Sequence, residues 1–213
     1  MNLEVRNIAD QIVELLRERI LAGTIQTDTA IRQDALASEF GVSKIPLREA
    51  LARLEQDGLL ISQPHRGYFV RPMTLPEVED IYALRLKIEP DAVAAAAELA
   101  TPQEREAAIA ALAAFKHEAA SRNVSGGAHN RAFHLSLVRP CRQNVTIDIL
   151  ERLHVLSDRY VNKHLEPLGR NARADSEHDG LLESWLANDS KRLKVLAYMH
   201  IANTLEDLRQ QLT

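Results

Sequence analysis

Residues 33–70 read QDALASEFGVSKIPLREALARLEQDGLLISQPHRGYFV, and this stretch decides the fold of the N-terminal third. Leu36 and Phe40 lie four residues apart, on one face of a helix, and Gly41 follows at once. Glycine tolerates the left-handed conformation in which helices often end. A second helical pattern begins after Ser43, an N-cap residue type whose hydroxyl is expected to accept from free N–H groups. Two helices joined by a short glycine-containing turn predict a helix-turn-helix.

The second helix would present two cations to solvent. Lys44 and Arg48 lie four residues apart, so both project from the N-terminal half, which enters the major groove in a helix-turn-helix. This pattern fits an ordinary pair of helices with solvated charges equally well. Residues 59–62 and 67–70 favour DNA binding, because they predict two short strands around a turn with Arg66 at its tip. Such a wing reaches phosphates or the minor groove.

The motifs of this region resemble the N-terminal domain of GntR-type bacterial transcription regulators. They are GVSKIPLREAL at 41–51, LEQDGL at 54–59 and PHRGYFV at 64–70. The resemblance implies a winged DNA-binding domain over residues 1–71, with DNA contacts from Ser43, Lys44, Arg48, Arg66 and Gly67. Lys44 replaces the arginine usual in the family, and lysine lacks the planar fork that reads guanine bidentately.

The composition predicts a globular cytoplasmic protein. One cysteine, Cys141, is present among 213 residues, which excludes an internal disulfide framework and fits a reducing compartment. No apolar run approaches the length of a membrane span, and the N-terminus lacks the apolar core of a signal peptide.

The charge balance is the main objection to DNA binding. The net charge is −4, and residues 1–71 carry nine Lys and Arg against ten Asp and Glu. Residues 43–71 reverse this balance, with five cations against three anions, and phosphate binding depends on the local surface rather than on the total. We therefore expect DNA binding to depend on base contacts and on dimerisation.

The helices outside this motif fill the rest of the chain. A first helix is predicted over residues 5–22, with an inward face of Val5, Ile8, Ile12, Leu15 and Leu16. After a linker at 71–73, a helix is predicted from Thr74 to Ala100 with a kink at Pro90, and Thr101 to Glu104 form a capping box that begins the next helix. Further helices are predicted over 128–139, 144–165, 174–187 and 190–212. The predicted fold is mainly α: a winged helix-turn-helix, then a six-helix antiparallel bundle over residues 74–213.

Helical spacing directs His134, His178 and His200 into the bundle from three different helices. A single inward histidine is more often a hydrogen-bonded core residue than a ligand. Three on one interior need partners, and imidazole is a common ligand of Zn, Ni and Fe. The spacing alone leaves both interpretations open.

The bundle resembles the FCD effector-binding domain that follows many GntR-type winged domains. The motifs are IYALRLKIE at 81–89, NRAFH at 130–134, EH at 177–178 and HI at 200–201. Many members hold a divalent metal with an Asp-x3-His pair and two later histidines, which implies a Zn or Ni site at Asn130, His134, His178 and His200. Asn130 replaces the usual aspartate with a weaker, uncharged ligand. The six helices are more similar to the VanR-type branch than to the seven-helix branch.

Arg85 is predicted to face inward with Ile81, Leu84 and Ile88, where a guanidinium needs an anionic partner. Glu89, four residues later, is one candidate, although the predicted kink would turn it toward solvent. The resemblance implies instead that Arg85 holds a carboxylate of the effector. Surface or packing roles are predicted for the other histidines: His65, His117, His129, His154 and His164.

These observations predict a ligand-responsive regulator that binds a palindromic DNA operator as a homodimer. It would sense a small carboxylic or hydroxy acid with the help of a divalent metal. Two alternatives are a metal-responsive regulator and a metal-dependent hydrolase. Against the hydrolase, no carboxylate is placed as a general base beside His134, and an enzyme has no use for a winged domain. The sequence names neither effector nor operator, nor the sign of regulation.

Overall fold

The computed structural model describes residues 7–27, 29–121, 126–165 and 170–212. The chain divides into two compact units, residues 1–72 and 73–213. The predicted mainly α fold, with a winged helix-turn-helix and a helical bundle, is confirmed. No helix of the described residues is long and apolar enough to cross a membrane.

The first unit contains three helices and a two-stranded wing: α1 (Ile8–Leu21), α2 (Gln33–Phe40), α3 (Lys44–Gln56), β1 (Leu60–Gln63) and β2 (Gly67–Val70). The strands are antiparallel, with Gln63 opposite Gly67, and β1 lies one residue later than predicted. In the segment between α1 and α2, Thr27 and Ala30 form isolated bridges with β2. This segment therefore adds backbone contacts to the wing.

The inward face of α1 differs from the prediction by about one residue. Its buried side chains are Ala9, Ile12, Val13, Leu16 and Ile20. Ile8 and Leu15 were predicted inward but are exposed, because the buried stripe passes through Ile12 and Val13 and turns them to its edges. Val5 lies outside the described residues.

The turn between α2 and α3 confirms one cap and corrects another. Gly41 ends α2 in the left-handed conformation, with φ of 63°. Ser43 is the N-cap residue of α3, but its side chain makes no capping hydrogen bond. The physical reason is Pro46, which occupies the third helical position, where a cap hydroxyl usually finds its N–H donor, and has no N–H.

The second unit contains six helices among its described residues: α4 (Leu75–Leu99), α5 (Pro102–Ser121), α6 (Gly126–Val138), α7 (Asn144–Leu165), α8 (Arg170–Leu186) and α9 (Ser190–Leu212). A single 3-10 turn, Arg139–Cys141, follows α6. The capping box before α5 forms as predicted, since Glu104 N–H donates to Thr101 Oγ1 (3.3 Å) and Thr101 N–H to Glu104 Oε2 (2.9 Å). The α4 helix is continuous and contains Pro90.

The bundle has a large apolar core that also holds many polar groups. Trp185, Tyr82, Phe133 and Tyr160 are fully buried, and Trp185 Nε1 donates to the carbonyl oxygen of Leu137 at 3.1 Å. The buried polar and charged residues among the described part of the chain all lie in this unit. Because buried polar groups are costly unless they have partners, this interior is the first place to look for a binding site.

Candidate functional site

Lys44 and Arg48 of α3 both contact residues at the start of α2. Lys44 Nζ lies 2.5 Å from Asp34 Oδ1, and Arg48 Nε donates to Gln33 Oε1 at 3.3 Å. Lys44 and Arg48 are exposed, so these are surface contacts that solvent or an anionic partner can replace. The structure therefore presents both predicted DNA-contacting cations at the N-terminal end of α3.

An exposed apolar side chain separates these cations in sequence. Ile45 is 78% exposed, the highest value among the large apolar side chains that are exposed. No role is predicted for Ile45 from the sequence, although its position between Lys44 and Pro46, off the buried stripe of Leu47, Ala50 and Leu51, indicates an exposed side chain.

The wing turn carries the third predicted cation. Arg66 is exposed, and its Nη1 donates to Gln63 Oε1 at 2.8 Å. The same guanidinium lies 5.2 Å from the centre of the Phe69 ring. Gly67 has φ of 88°, a conformation that favours glycine. The turn therefore holds Arg66 along the wing.

Three histidines converge inside the bundle. His134 on α6, His178 on α8 and His200 on α9 place one ring nitrogen each within 4.8 Å of the others. Their ring centres are 4.8 to 5.1 Å apart. All three are buried, so the structure brings together the three histidines that spacing directed inward.

The carboxylate of Glu177 contacts the Nδ1 side of one of these rings, that of His200. Glu177 Oε2 lies 2.7 Å from His200 Nδ1, and Asn203 Nδ2 donates to Glu177 Oε1 at 2.9 Å. Burial alone would raise the pKa of Glu177, but the contacts with His200, the hydrogen bond from Asn203 and the charge of Arg173 together lower it. Glu177 lies in the sequence motif EH at 177–178, but no role is predicted for it from the sequence.

Arg85 is paired with Glu89 inside the bundle. Its Nε donates to Glu89 Oε2 at 2.8 Å and its Nη2 to Oε1 at 3.2 Å. The expectation that Glu89 would turn toward solvent is wrong, because α4 continues through Pro90 and buries Glu89. Leu84, predicted inward beside Arg85, is 41% exposed. The inward face passes through Tyr82 instead.

His154 belongs to the same polar network. It is buried, and its Nε2 lies 3.1 Å from Glu89 Oε1. Its ring stacks on that of His134 at 5.4 Å between centres. A surface or packing role is predicted for His154 from the sequence, although its spacing of four from Leu150 places it on the buried face of α7.

The electrostatics keep His134 and His154 neutral and Glu89 charged. Burial, followed by the neighbouring imidazoles, lowers the pKa of His134 well below its usual value. Burial and Arg85 likewise lower the pKa of His154. Burial would raise the pKa of Glu89, but Arg85 and His154 hold it well below its usual range. Neutral imidazole is the form that binds metal ions.

Arg85 and the three histidines line one small cavity. The other lining residues are Tyr82, Phe115, Asn130, Ala174, Ile201 and Thr204. The open space has room for about one water-sized particle. It therefore suits an ion with a small ligand, and a larger molecule would have to widen it.

The donors of this cavity fit a divalent transition metal. Three convergent imidazoles with room for another ligand are typical of Zn sites and also suit Ni. Asn130 lines the same cavity one helical turn before His134, so its amide is the candidate for a fourth protein ligand.

Comparisons with known protein families match almost the whole chain. Residues 8–70 match the bacterial regulatory proteins of the gntR family, and residues 80–203 match the FCD domain. The VanR-type branch stays a prediction.

Relatives and solved structures resemble the chain over most of its length. The Nta operon transcriptional regulator of Aminobacter aminovorans is 30% identical over 184 residues, which cover 84% of this chain and 75% of the relative. The HTH-type transcriptional repressor GlaR of Escherichia coli strain K12 is 26% identical over 205 residues, covering 92% and 93%. The solved structure described as E. coli McbR/YncC has a TM-score of 0.82 at 21% identity, covering 97% of this chain and 99% of that one. This last likeness shows a shared fold.

Proposed function

Because the chain belongs to the GntR family of bacterial transcription regulators and carries an FCD domain, we propose that it is a DNA-binding regulator controlled by a small ligand in its bundle. The family establishes the class of DNA-binding transcription regulator, and the relatives are regulators rather than enzymes. The hydrolase alternative is therefore set aside. The proposal extends to the metal, the chemical class of the effector and the residues that bind them.

The metal proposal rests on the three converging imidazoles. His134, His178 and His200 would hold one divalent ion, Zn or Ni, with Asn130 as a weaker fourth ligand. A bound ion would supply a positive centre that binds an oxygen of the effector. The low pKa of His134 supports this role, because a neutral imidazole needs no deprotonation before it binds.

The effector proposal rests on Arg85. It is the cation among the residues that line the cavity, so a small carboxylic or hydroxy acid would find both a guanidinium and an ion there. Glu89 already occupies one edge of the guanidinium. The acid would therefore compete with Glu89 or use the remaining N–H groups, and it would widen the cavity as it bound.

The DNA proposal places the operator against α3 and the wing. Lys44 and Arg48 would exchange Asp34 and Gln33 for phosphates or base edges. Ser43, Arg66 and Gly67 would contact the backbone. The protein would act as a homodimer in the cytoplasm, and its two-fold symmetry would match that of a palindromic operator. The two DNA-binding surfaces would then lie one turn of the DNA helix, or a multiple of it, apart.

A second candidate function is metal sensing, in which the ion itself is the signal. The size of the cavity favours it, because the space accommodates an ion and a water more readily than an organic acid. The DNA surface would be the same in both cases.

One experiment separates these possibilities. Operator sites are selected from a random duplex library, and the affinity of the metal-free protein is measured while ZnCl2, NiCl2 or a panel of hydroxy and dicarboxylic acids is titrated separately. An acid response that requires metal supports the main proposal, and a response to metal alone supports the sensor. The His178→Ala, His200→Ala double variant should lose either response. If the parent binds neither metal nor acid, the ligand-responsive function is wrong.

A further inference from the structure

The contact between Glu177 and His200 has a consequence for the proposed metal site. Glu177 lies directly before His178 on α8, but the two side chains act in different places. His178 lies within the histidine cluster, whereas Glu177 reaches α9 and meets the Nδ1 side of His200. One helix thus supplies one member of the cluster and supports another.

The Glu177 carboxylate is held on more than one side. Oε2 meets His200 Nδ1 at 2.7 Å, and Oε1 accepts from Asn203 Nδ2 at 2.9 Å. Arg173 Nε lies 3.7 Å from Oε1. A carboxylate fixed in this way accepts the Nδ1 proton of His200, which leaves Nε2 without a proton and with its lone pair free.

The neighbouring carboxylate does not do the same for His134. Glu89 Oε1 lies 4.0 Å from His134 Nδ1, beyond hydrogen-bonding distance, and it is bound to Arg85 and His154. Among the described residues, Glu177 is therefore the carboxylate that contacts a ring of the cluster directly, at 2.7 Å from His200 Nδ1.

We propose that Glu177 is a positioning residue that fixes the Nδ1–H tautomer of His200 and supplies, from behind the ring, the negative charge that Asn130 does not supply. A carboxylate behind a metal-bound histidine orients the ring and makes it a stronger donor. This inference rests on the metal site of the proposed function, but the tautomer itself is a property of the metal-free protein.

Two measurements test the inference. In the metal-free protein, long-range 15N–1H correlation spectra of the imidazoles should show His200 with its proton on Nδ1. In Glu177→Ala this preference should be lost. The dissociation constant for Zn, from competition with a chromophoric chelator, should rise about 10- to 100-fold in Glu177→Ala. It should rise less in Glu177→Gln, which keeps an acceptor without the charge.

Glu183→Gln is the matched control, because Glu183 lies on the same helix with its side chain 73% exposed. It should bind Zn like the parent, and thermal melts of all variants establish that they are folded. An Nε2–H tautomer in the parent overturns the inference whether or not metal binds. Equal Zn affinity of parent and both Glu177 variants also overturns it. A parent that shows the Nδ1–H tautomer but binds no metal refutes the metal site and, with it, the metal-positioning role.

A separate observation concerns base recognition. Ile45 is 78% exposed at the start of α3, directly after the exposed residue Lys44 and three residues before the exposed residue Arg48. An apolar side chain on the recognition surface gains nothing from phosphate. The apolar group that the major groove offers is the thymine C5 methyl.

We infer that Ile45 reads a thymine methyl in each half-site. The test uses the operator selected with the parent protein, with each thymine replaced in turn by uracil, which lacks only that methyl. One replacement per half-site should weaken binding about threefold to fourfold, the loss expected for one buried methyl-sized group. Ile45→Ala should bind the thymine and uracil duplexes equally. If no single uracil replacement weakens the parent, or if Ile45→Ala keeps the same sensitivity, Ile45 does not read a thymine methyl.

Discussion

The guanidinium of Arg85 donates to both carboxylate oxygens of Glu89, one helical turn away on α4, and both side chains are buried. This pair joins the cavity to the rest of the polar network. Ser157 Oγ accepts from Arg85 Nη1 at 3.3 Å, and His154 meets Glu89. Arg85 is therefore a structural residue in the ligand-free protein, whatever it also does for an effector.

Arg85→Met should lower the free energy of unfolding by about 3–5 kcal/mol, because it leaves the Glu89 charge buried without its main partner. Adding Glu89→Leu should recover a large part of this loss. Urea unfolding of the metal-free protein measures both, and Lys87→Met, an exposed change on the same helix, should cost less than about 0.5 kcal/mol. Full stability in Arg85→Met would mean that the pair contributes nothing.

The Arg85 pair illustrates what the sequence could and could not predict. The i, i+4 spacing gave Glu89 as a partner, and the capping box at Thr101 and Glu104 was equally predictable, because both depend on neighbours in the chain. The prediction that a kink at Pro90 turns Glu89 toward solvent is wrong, because Glu89 is buried. Which way a residue beside a proline faces depends on what packs around the helix, which local sequence does not encode.

In the candidate metal site, too, features set by local spacing could be predicted, whereas contacts between distant residues could not. Helical spacing predicted that His134, His178 and His200 face inward, and the resemblance grouped them. The support of His200 by Glu177 joins two helices across 23 positions of the chain, and no spacing rule relates such residues. A surface or packing role was predicted for His154, and its partner Glu89, 65 positions earlier in the chain, was predicted to face solvent.

For DNA binding, Arg48→Ala should weaken operator binding by about 1–3 kcal/mol and relax base preference at one position per half-site, if its contact is bidentate. Fluorescence anisotropy with the selected operator and with single-base variants measures both effects at fixed salt. Arg192→Ala removes the same charge from an exposed site on α9 and should bind like the parent. Parent-like binding by Arg48→Ala would exclude α3 as the recognition helix.

The contact between Lys44 and Asp34 predicts a variant that binds more tightly. Asp34→Asn removes a negative charge 2.5 Å from Lys44 Nζ and frees the ammonium for phosphate. Affinity for operator and random duplexes should both rise about twofold to fivefold, with a steeper salt dependence by roughly one ion per protomer. Asp148→Asn, an exposed change in the bundle, is the control. A rise confined to the operator would instead indicate a base contact by Lys44.

Asn130→Asp should strengthen metal binding. A carboxylate is a charged ligand for a divalent ion, whereas the amide is neutral, and we expect the Zn dissociation constant to fall on the order of tenfold, or ~1.4 kcal/mol. Chelator competition measures it, with Asn144→Asp at the exposed start of α7 as the charge-matched control. An unchanged constant would show that residue 130 does not reach the ion.

The last prediction concerns how the cavity influences the segment that leads to the DNA-binding unit. On α7, His154 and Ser157 contact Glu89 and Arg85, and one turn later Tyr160 reaches the start of α4. The Tyr160 hydroxyl donates to Glu77 Oε2 at 2.8 Å and accepts from Thr74 N–H at 3.2 Å. Burial and the Glu77 carboxylate raise the pKa of this hydroxyl, so it remains a protonated donor.

Tyr160 therefore links α7 to Thr74, the N-cap residue of α4, which directly follows the linker at 71–73. Tyr160→Phe removes only the hydroxyl, so the protein should lose about 1 kcal/mol of stability and still bind Zn and operator. The ratio of operator affinities with and without ZnCl2 should move toward one. The ion changes DNA affinity only if the metal-bound and metal-free states differ at the linker, and Tyr160 is the proposed connection between cavity and linker. Tyr198→Phe, at a half-exposed position on α9, should keep the parent's ratio. A Tyr160→Phe protein with the parent's full response would show that the signal reaches the linker by another route.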